Sequence, residues 1–196
     1  MGNDGGASLQ IGLKSVNRSI SIKKARMISL CLVNSYDKLK LHEIHLRSIA
    51  RAIPLCYAFD FHLALLDFNF WENERELVEQ IMDYTTIGEH GRYALKLLEK
   101  GRLHLINKIP AQFGIIIATT SKPEKSKEIS LYDLKSILKT KSTTFLIGLG
   151  RKGLSKDLLK TAKYHFDVTA KNISLETCTA IGVIATMVFM LINAKR

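Results

Sequence analysis

Short apolar runs recur along the chain and are separated by longer polar stretches. Each run is rich in Val, Ile, Leu and Phe and is continuous, instead of alternating with polar residues, as is typical of strands buried on both faces of a parallel sheet. These runs predict strands at 28–34, 61–68, 113–121, 143–150 and 164–168.

The stretches between the runs carry apolar residues at three- and four-residue spacing, which predicts helices. These helices span 40–59, 71–84, 89–100, 130–139 and 155–163, and a last one opens at Ser174. Pro54 predicts a kink or an end in the first helix, and Ser130 is placed to cap the fourth. The alternation of strand and helix predicts a single α/β domain, with a mostly parallel sheet and helices on both faces.

The N-terminal segment differs from the rest of the chain. Residues 1–9 are predicted to form a disordered leader, and residues 10–27 are basic and alternate weakly, which indicates an edge strand or an extended arm. We therefore divide the chain into a basic N-terminal extension, 1–27, and an α/β domain, 28–196. The first residues contain no basic stretch followed by an apolar one, so we expect no secretory signal.

The C-terminal apolar run, 178–194, raises the question of a membrane anchor. It is about 17 residues long, and Thr179, Gly182 and Thr186 interrupt it. A membrane-spanning helix needs about 20 mostly apolar residues. We therefore expect a helix that is buried or forms an interface, and no membrane segment.

The cysteines and histidines do not form a metal-binding pattern. Cys31, Cys56 and Cys178 lie far apart and lack C-x₂-C spacing, which suits a reducing compartment and a cytoplasmic protein. His42 and His45 lie three residues apart but lack both the H-E-x-x-H spacing and a third ligand. The sequence therefore predicts no metal site.

The net charge of +11 is concentrated in two segments. Residues 1–27 carry five Lys and Arg against one acidic residue, and residues 121–163 carry eleven against four, so the remainder of the chain is neutral. Two basic blocks suit a polyanionic partner such as nucleic acid. A solvated, lysine-rich surface is the alternative, and the charge alone does not separate the two.

Four loops follow the predicted strands at their carboxyl ends, where open α/β sheets bind ligands. These are 34–40, 119–127, 148–154 and 169–174, and they combine lysine with small or turn-forming residues. The third, GLGRKGL, offers glycines that let main-chain amides approach a ligand. It has neither the P-loop spacing nor G-x-G-x-x-G, which disfavours nucleoside triphosphates and NAD.

The order of these segments resembles the SPOUT superfamily of RNA methyltransferases. In LVNSYDKLKLHEIHLRSIARA, the loop residue Asn34 and the helical Arg51 are similar to the family's first motif, with His45 where many members have Asn. The segment IIIATTSKPEK, 115–125, is similar to the family's Thr-rich loop. The resemblance covers residues 28–192 and is closest to an uncharacterised archaeal branch of the superfamily.

Two further motifs agree with the family in spacing and differ in identity. FLIGLGRKGL resembles an apolar strand followed by Gly-Pro-Glu-x-x-Gly-Leu. Gly148, Gly153 and Leu154 agree with that pattern, whereas Leu149 and Gly150 replace Pro and Glu. ISLETCTAIG resembles the last motif, Ser-Leu-Asn before a small-residue helix, with Glu in place of Asn at position 176. The two departures leave open whether catalysis is retained.

The resemblance implies a deep C-terminal trefoil knot, formed where the chain threads through the loop near 119–150. It also implies that S-adenosylmethionine binds in a bent pose, held by main-chain groups of the loops 118–122, 148–154 and 169–175. The cofactor-binding residues that it implies are Thr119, Thr120, Ile147, Gly148, Gly150, Gly153, Leu154, Ile173, Ser174 and Leu175.

The resemblance also assigns catalytic and RNA-binding residues. It implies that Arg51 positions a ribose or phosphate or activates a 2′-hydroxyl, and an ion pair with Glu43 is the alternative. Glu176 has three open roles: a bond to the cofactor, a cap on its own helix, or a replacement for the carboxylate missing at position 150. The expected RNA-binding residues are Asn34, His45, Lys122, Lys125, Arg151 and Lys152.

We therefore expect a cytoplasmic, S-adenosylmethionine-dependent methyltransferase that acts on a ribose 2′-oxygen or a base atom of tRNA or rRNA. The resemblance implies a homodimer with the C-terminal helix, 174–192, at its interface. Two alternatives remain: a SPOUT-like RNA-binding protein that has lost catalysis, and an α/β nucleotide-binding protein that does not bind RNA.

Overall fold

Six parallel strands form the central sheet of the protein, a computed structural model in which residues 26–82, 84 and 90–193 are described. The strands are β1 Ile28–Val33, β2 His62–Leu66, β3 Leu103–Ile106, β4 Ile115–Thr119, β5 Thr143–Gly148 and β6 Tyr164–Phe166. Their order across the sheet is β3-β2-β1-β5-β4-β6, and every neighbouring pair is parallel. The prediction of an α/β domain with a mostly parallel sheet is confirmed.

The helices of the described residues lie in the connections between strands and after the last strand. They are α1 Glu43–Ala58, α2 Glu74–Met82, α3 His90–Glu99, α4 Leu131–Thr140, α5 Lys156–Thr161 and α6 Thr177–Asn193, with a 3₁₀ turn at Ala111–Phe113. The predicted cap at Ser130 is confirmed, because its Oγ accepts a hydrogen bond from the Asp133 N–H at 3.2 Å.

The strand side chains alternate between two apolar cores. In β1, Leu30 and Leu32 enter a core that α1, α2, α3, α4 and α6 cover, whereas Cys31 and Val33 enter a second core against α5. Helices therefore lie on both faces of the sheet, and all but α5 of the described helices lie on the same one. Burial on both faces explains why the strands form continuous apolar runs in the sequence.

Two elements differ from the sequence-based expectation. The apolar pattern misses β3, because this short edge strand is half-buried beyond Leu103 and forms no long apolar run. Helix α1 does not end at Pro54, one of the two outcomes expected there, and continues to Ala58. Residues Ile49, Ala52, Ile53 and Cys56 of α1 are fully buried, and this packing outweighs the hydrogen bond that a proline cannot donate.

The strand order brings four loops to one end of the sheet. The N–H of Leu149 donates to the Val33 carbonyl, and the N–H of Thr120 donates to the Phe166 carbonyl, both at 3.1 Å. Strands β2 and β3 extend the sheet on one side of β1. The later strands β4, β5 and β6 extend it on the other side of β1. In open α/β sheets a ligand crevice forms at such a reversal, beyond the carboxyl ends of the strands.

Two expectations concern the ends of the chain: that the C-terminal helix does not cross a membrane, and that the N-terminal segment forms a basic arm. No helix within the described residues is long and apolar enough to cross a membrane. Helix α6 packs against α1 and α4 and buries Ile181, Ile184 and Val188. The predicted N-terminal arm lies outside the described residues, apart from Arg26 and Met27. The Met27 carbonyl accepts a hydrogen bond from the Thr143 N–H at 2.9 Å.

Candidate cofactor cavity and active site

Three loops that are far apart in the sequence line one cavity of about 680 Å³ beyond the carboxyl ends of β4, β5 and β6. The loops are 119–122, 148–154 and 167–177. All ten residues that the sequence analysis assigned to cofactor binding line this cavity: Thr119, Thr120, Ile147, Gly148, Gly150, Gly153, Leu154, Ile173, Ser174 and Leu175. Its walls also include Lys122, Arg151, Lys152 and Glu176.

Glycine is required where the loop after β5 folds back on itself. A Cβ atom on Gly148 would lie 2.6 Å from the carbonyl carbon of Gly153, a separation that main-chain atoms cannot accommodate. Gly150 has a φ of 78°, and its Cβ would lie 2.9 Å from Cδ2 of Tyr36. This glycine-containing loop therefore brings bare main chain to the cavity wall.

Hydroxyl groups join the first loop to the end of β5 and to the third loop. Thr119 Oγ1 donates to the Leu146 carbonyl at 2.7 Å, which ties the end of β4 to β5. The hydroxyls of Ser121 and Ser174 lie 2.7 Å apart and connect the first loop to the third. The cavity is therefore formed by contacts between its loops, and its shape does not depend on a single segment.

Asp167, which is not among the site residues predicted from the sequence, organises the third loop. Its carboxylate accepts hydrogen bonds from the N–H and Oγ1 of Thr169, at 3.0 and 2.8 Å, and from the Asn172 N–H at 2.7 Å. Burial acts to raise the pKa of Asp167, but these hydrogen bonds outweigh burial and hold its pKa below the usual value. The signal in the sequence is Asp-x-Thr directly after a strand, a side-chain-stabilised turn.

Glu176 caps helix α6. Its Oε2 accepts hydrogen bonds from the N–H groups of Cys178 and Thr179, at 2.9 and 3.1 Å. Burial acts to raise the pKa of Glu176, but the hydrogen bonds from these amides outweigh it, and the pKa lies below its ordinary value. Of the three roles left open by the sequence, the structure contains the helix cap, and α6 consequently begins at Thr177 instead of Ser174.

Arg51 lies on α1 beside the start of α6. Its Nη1 lies 3.2 Å from Sγ of Cys178, and its side chain is exposed. The hydrogen bond to Cys178 raises the pKa of Arg51 above its usual value, which disfavours a role as general base. The ion pair with Glu43 is formed by Arg47 at 2.5 Å and not by Arg51.

Asn34 and His45, which the sequence analysis assigned to RNA binding, are fully buried. Each hydrogen-bonds to the other, so neither side chain can touch RNA without rearrangement of the loop that follows β1. The four basic residues of the same group are exposed. Lys122, Arg151 and Lys152 line the cavity, whereas Lys125 lies outside its lining.

Metal ligation has no candidate among the described residues. These residues contain no group of three or more His, Cys, Asp or Glu side chains that could hold a metal ion. Asp37 and His42 hydrogen-bond at 2.8 Å, and the pKa of Asp37 falls to about 2, first because of this bond and then because of main-chain bonds from Leu39 and Lys40. The His-Glu-x-His segment thus contributes to loop structure.

The sequence matches one protein family over nearly its whole length. A family described as "Protein of unknown function (DUF531)" matches residues 28–189. The chain belongs to this family. The uncharacterized protein MJ0224 of Methanocaldococcus jannaschii is 48% identical over 169 residues, which cover 86% of this chain and 96% of that protein. This DUF531 protein therefore has a close archaeal relative, as the sequence analysis expected.

Solved structures with the same fold are methyltransferases of the SpoU/TrmH type. A probable methylase family protein from Haemophilus influenzae Rd KW20 superposes with a TM-score of 0.58 at 16% identity, covering 85% of this chain and 66% of that one. The SpoU methyltransferase AviRb from Streptomyces viridochromogenes, in complex with S-adenosylmethionine, superposes with a TM-score of 0.54 at 11% identity. The match covers 88% of this chain and 60% of that one. A protein whose structure is described as giving insights into the 2-OH methylation of C/U34 on tRNA superposes with a TM-score of 0.55 at 16% sequence identity. The match covers 87% of this chain and 99% of that one. The DUF531 protein has the SPOUT fold.

Proposed function

We propose that this DUF531 protein is an S-adenosylmethionine-dependent RNA methyltransferase. The observation that carries the proposal is the convergence of the loops 119–122, 148–154 and 167–177 on one cavity at the carboxyl end of the sheet. A fold shared with methyltransferases supports it, and one of those structures contains the cofactor. A fold alone does not establish a function, whereas the residues of the cavity determine what it can bind.

The cavity suits a purine nucleoside in size and in chemistry. Its volume of about 680 Å³ lies within the range of small-molecule sites, which are mostly apolar with a few fixed polar groups. Ile147, Leu154 and Leu175 supply apolar wall, and Gly148, Gly150 and Gly153 line the cavity without side chains of their own. When bound, the cofactor supplies an electrophilic methyl group on a sulfonium centre.

The basic rim of the cavity suits an RNA substrate. Lys122, Arg151 and Lys152 line the cavity and are exposed to solvent. Such residues contact phosphates, position the strand and make binding sensitive to salt. We place the methyl acceptor on a ribose 2′-oxygen of tRNA or rRNA, in line with the fold neighbour that addresses 2-OH methylation of C/U34 on tRNA.

Arg51 is our candidate for binding the acceptor nucleotide. Its guanidinium remains protonated, so it can hold a phosphate or stabilise negative charge on the acceptor oxygen but does not remove a proton. Arg51 would not accept the proton of the acceptor hydroxyl, which would therefore leave to solvent when the bound cofactor supplies the methyl group. The described chain then contributes mainly through proximity and alignment.

Three further features belong to the same proposal. We place a trefoil knot at residues 167–176, where the chain passes from the edge strand β6 to α6, which packs on α1. The contact between Ser121 and Ser174 supports this path.

We propose a homodimer through α6, whose Val183 and Met190 are exposed. A groove on the same helix includes Gly182. A cytoplasmic location is consistent with an RNA substrate.

An RNA-binding protein without catalysis is the second candidate. Gly150 carries no side chain, and the Glu176 carboxylate is engaged in capping α6. Asp167 is engaged in the same way by the third loop. Within the described cavity lining, no carboxylate is left without hydrogen-bond donors from its own loop, which favours binding without acid–base chemistry.

Two measurements on the full chain separate these functions. Calorimetric titration with S-adenosylmethionine tests the cavity, and transfer of a tritium-labelled methyl group to bulk tRNA and rRNA tests catalysis. We expect binding and transfer, and we expect Arg51→Ala to lower transfer by about 10²–10³-fold with cofactor affinity unchanged. Arg47→Ala, four residues earlier on the same helix and paired with Glu43, is the matched control.

The possible results are distinct. Absence of cofactor binding would reject the proposed function. Cofactor and RNA binding without methyl transfer would favour the second candidate. Equal transfer by the Arg51 and Arg47 variants would remove Arg51 from the active site while leaving the function in place.

A further inference from the structure

Tyr36 is an exposed aromatic side chain beside the rim of the cavity. It is 53% exposed, although it lies in a loop whose neighbouring residue Asn34 is fully buried. Its ring lies against Gly150, which lines the cavity: Cδ2 of Tyr36 would be 2.9 Å from a Cβ at that position. One part of the ring therefore packs on the cavity wall, and the remainder is open to solvent.

The surrounding loop holds this ring in a fixed position. The Tyr36 ring lies roughly perpendicular to the rings of His42 and His45, with ring centroids 5.2 and 5.8 Å apart. Its main-chain N–H donates to Asn34 Oδ1 at 3.3 Å. The Asp37 carboxylate accepts from the next main-chain amides, those of Leu39 and Lys40, at 2.8 and 3.1 Å. A ligand that packs on Tyr36 thus immobilises little additional structure, which favours binding.

Basic residues lie in the two loops that meet at the Tyr36 ring, 34–40 and 148–154. Lys40 lies in the same loop, and Arg151 and Lys152 follow Gly150 directly; all three are exposed. Lys38 is also in this loop and pairs with Asp67 at 2.6 Å. An exposed aromatic face among lysine and arginine side chains is the arrangement that proteins use to hold single-stranded nucleic acid, with charges on phosphates and the ring on a base.

We propose that Tyr36 stacks on a base of the RNA strand adjacent to the nucleotide whose acceptor oxygen enters the cavity. The inference rests on the proposed function and extends it to the form of the substrate. Bases within a duplex are already stacked on their neighbours, so a stacking residue requires an unpaired base. The substrate is therefore a single-stranded loop, bulge or end of an RNA.

The experiment uses RNA hairpins that carry 2-aminopurine, either in the loop or in the stem. Stacking on an aromatic ring quenches the fluorescence of 2-aminopurine. We expect the full-length protein to quench the loop probe and not the stem probe. Tyr36→Ala should abolish the quenching and weaken RNA binding by about 5- to 150-fold, the range that base-stacking aromatics show on truncation.

Three matched variants define the cause of any loss. Tyr36→Phe and Tyr36→Trp keep an aromatic face and should retain both quenching and affinity. Tyr132→Ala removes a more exposed tyrosine, 82% exposed on α4, and should behave as the wild type. Cofactor affinity, measured by calorimetry, should be unchanged in every variant, which shows that loop 148–154 is intact.

The inference and the proposed function fail in different ways. If the wild type binds RNA and transfers methyl groups but Tyr36→Ala binds and quenches as well as the wild type, only the stacking role is overturned. The same conclusion holds if Tyr36→Phe loses as much affinity as Tyr36→Ala, because the hydroxyl would then be the binding group. If the wild type binds neither RNA nor cofactor, both proposals are rejected.

Discussion

Nε2 of His45 lies 3.0 Å from Oδ1 of Asn34, and both side chains are fully buried. Nδ1 of His45 accepts a hydrogen bond from the His42 N–H at 2.9 Å, so the imidazole proton must reside on Nε2, which donates to Asn34. Burial, and then the proximity of His42, lower the pKa of His45 and keep the ring neutral. A single tautomer therefore joins the start of α1 to the end of β1.

We predict that Asn34→Asp destabilises the protein. The Asn34 amide donates to the carbonyl oxygens of Asp37 and Asp67 at 2.8 and 3.3 Å, and a carboxylate would place a buried negative charge against both. The expected loss is about 1–3 kcal/mol in the free energy of unfolding, the usual cost of a buried polar group without its partner. Urea denaturation near neutral pH measures it.

Asn73→Asp is the matched control for this substitution. Asn73 is exposed, and its Oδ1 accepts from the N–H groups of Arg75 and Glu76 at 3.0 and 3.1 Å, a role that a carboxylate can also fill. Its Nδ2 also donates to Oε1 of Glu76 at 3.4 Å, a long, exposed bond whose loss solvent largely offsets. We expect its stability to match that of the wild type. Equal stability of the Asn34 and Asn73 variants would show that the buried network is not formed as described.

The fold could be predicted from the sequence wherever a strand is buried on both faces. Strands β1, β2, β4 and β5 lie inside the sheet and form continuous apolar runs for that reason, whereas the short edge strand β6 contributes the buried Phe166. Strand β3 escapes this criterion because it lies at the edge, where His104 and Leu105 are only half-buried. The uneven division of helices between the two faces has no local signal, since it depends on where each helix packs.

The cavity was predictable in part, and the roles of several polar side chains were not. Glycine spacing and motif order identified the loop at 148–154, because a close main-chain approach restricts that position to glycine. By contrast, Arg51 and Cys178 are 127 positions apart in the chain and meet only in the folded structure. The burial of His45 similarly depends on the rings of Phe68 and Phe70, which no local pattern indicates.

We predict that Gly148→Ala and Gly153→Ala differ in severity. At Gly148 a Cβ would meet main-chain atoms of Gly153 and Leu154 at 2.6–2.9 Å, and the loop must shift. At Gly153, φ is 61° but no atom lies within 4 Å of the Cβ position, so alanine meets backbone strain alone. We expect losses of about 1–3 kcal/mol and about 1 kcal/mol, respectively.

Thermal unfolding and calorimetric titration with S-adenosylmethionine check this pair. Gly148→Ala should also abolish cofactor binding, because the displaced loop forms one wall of the cavity. Gly153→Ala should retain binding at reduced stability. An equal or larger effect of the Gly153 substitution on both measurements would contradict the described close approach.

We predict that Glu176→Ala destabilises helix α6 and that Glu176→Asn does not. Alanine cannot accept the bonds from Cys178 and Thr179, and loss of an N-cap costs about 0.5–2 kcal/mol. Asparagine is a strong N-cap residue and restores the acceptor. Methyl transfer by the Asn variant should therefore be retained. If Glu176→Asn is fully stable but inactive, the carboxylate takes part in the reaction itself.

The last prediction concerns pH and the histidine pair on β2 and β3. Nδ1 of His62 lies 2.9 Å from Nε2 of His104, and the two rings stack with their centroids 5.2 Å apart. Burial, followed by the proximity of His104 and of Arg102, lowers the pKa of His62 to about 4. Burial also lowers the pKa of His104, although the nearby Glu74 partly opposes this effect. Both rings are therefore neutral at pH 7.

An unfolded histidine titrates near pH 6.5, so the unfolded chain binds protons at a pH at which folded His62 does not. The stability that this pair confers is complete above about pH 6.5 and is lost as the pH falls towards about 4, because protonation then favours the unfolded chain.

His62→Gln removes one of the two groups and should reduce the loss of stability over this interval, as measured by urea denaturation at each pH. His104→Gln should act in the same direction, and the double variant should show less than the sum of the two effects, since each ring disfavours a proton on the other. A pH dependence in His62→Gln as steep as that of the wild type would assign the acid sensitivity to other groups, with His45 first among them because burial also lowers its pKa.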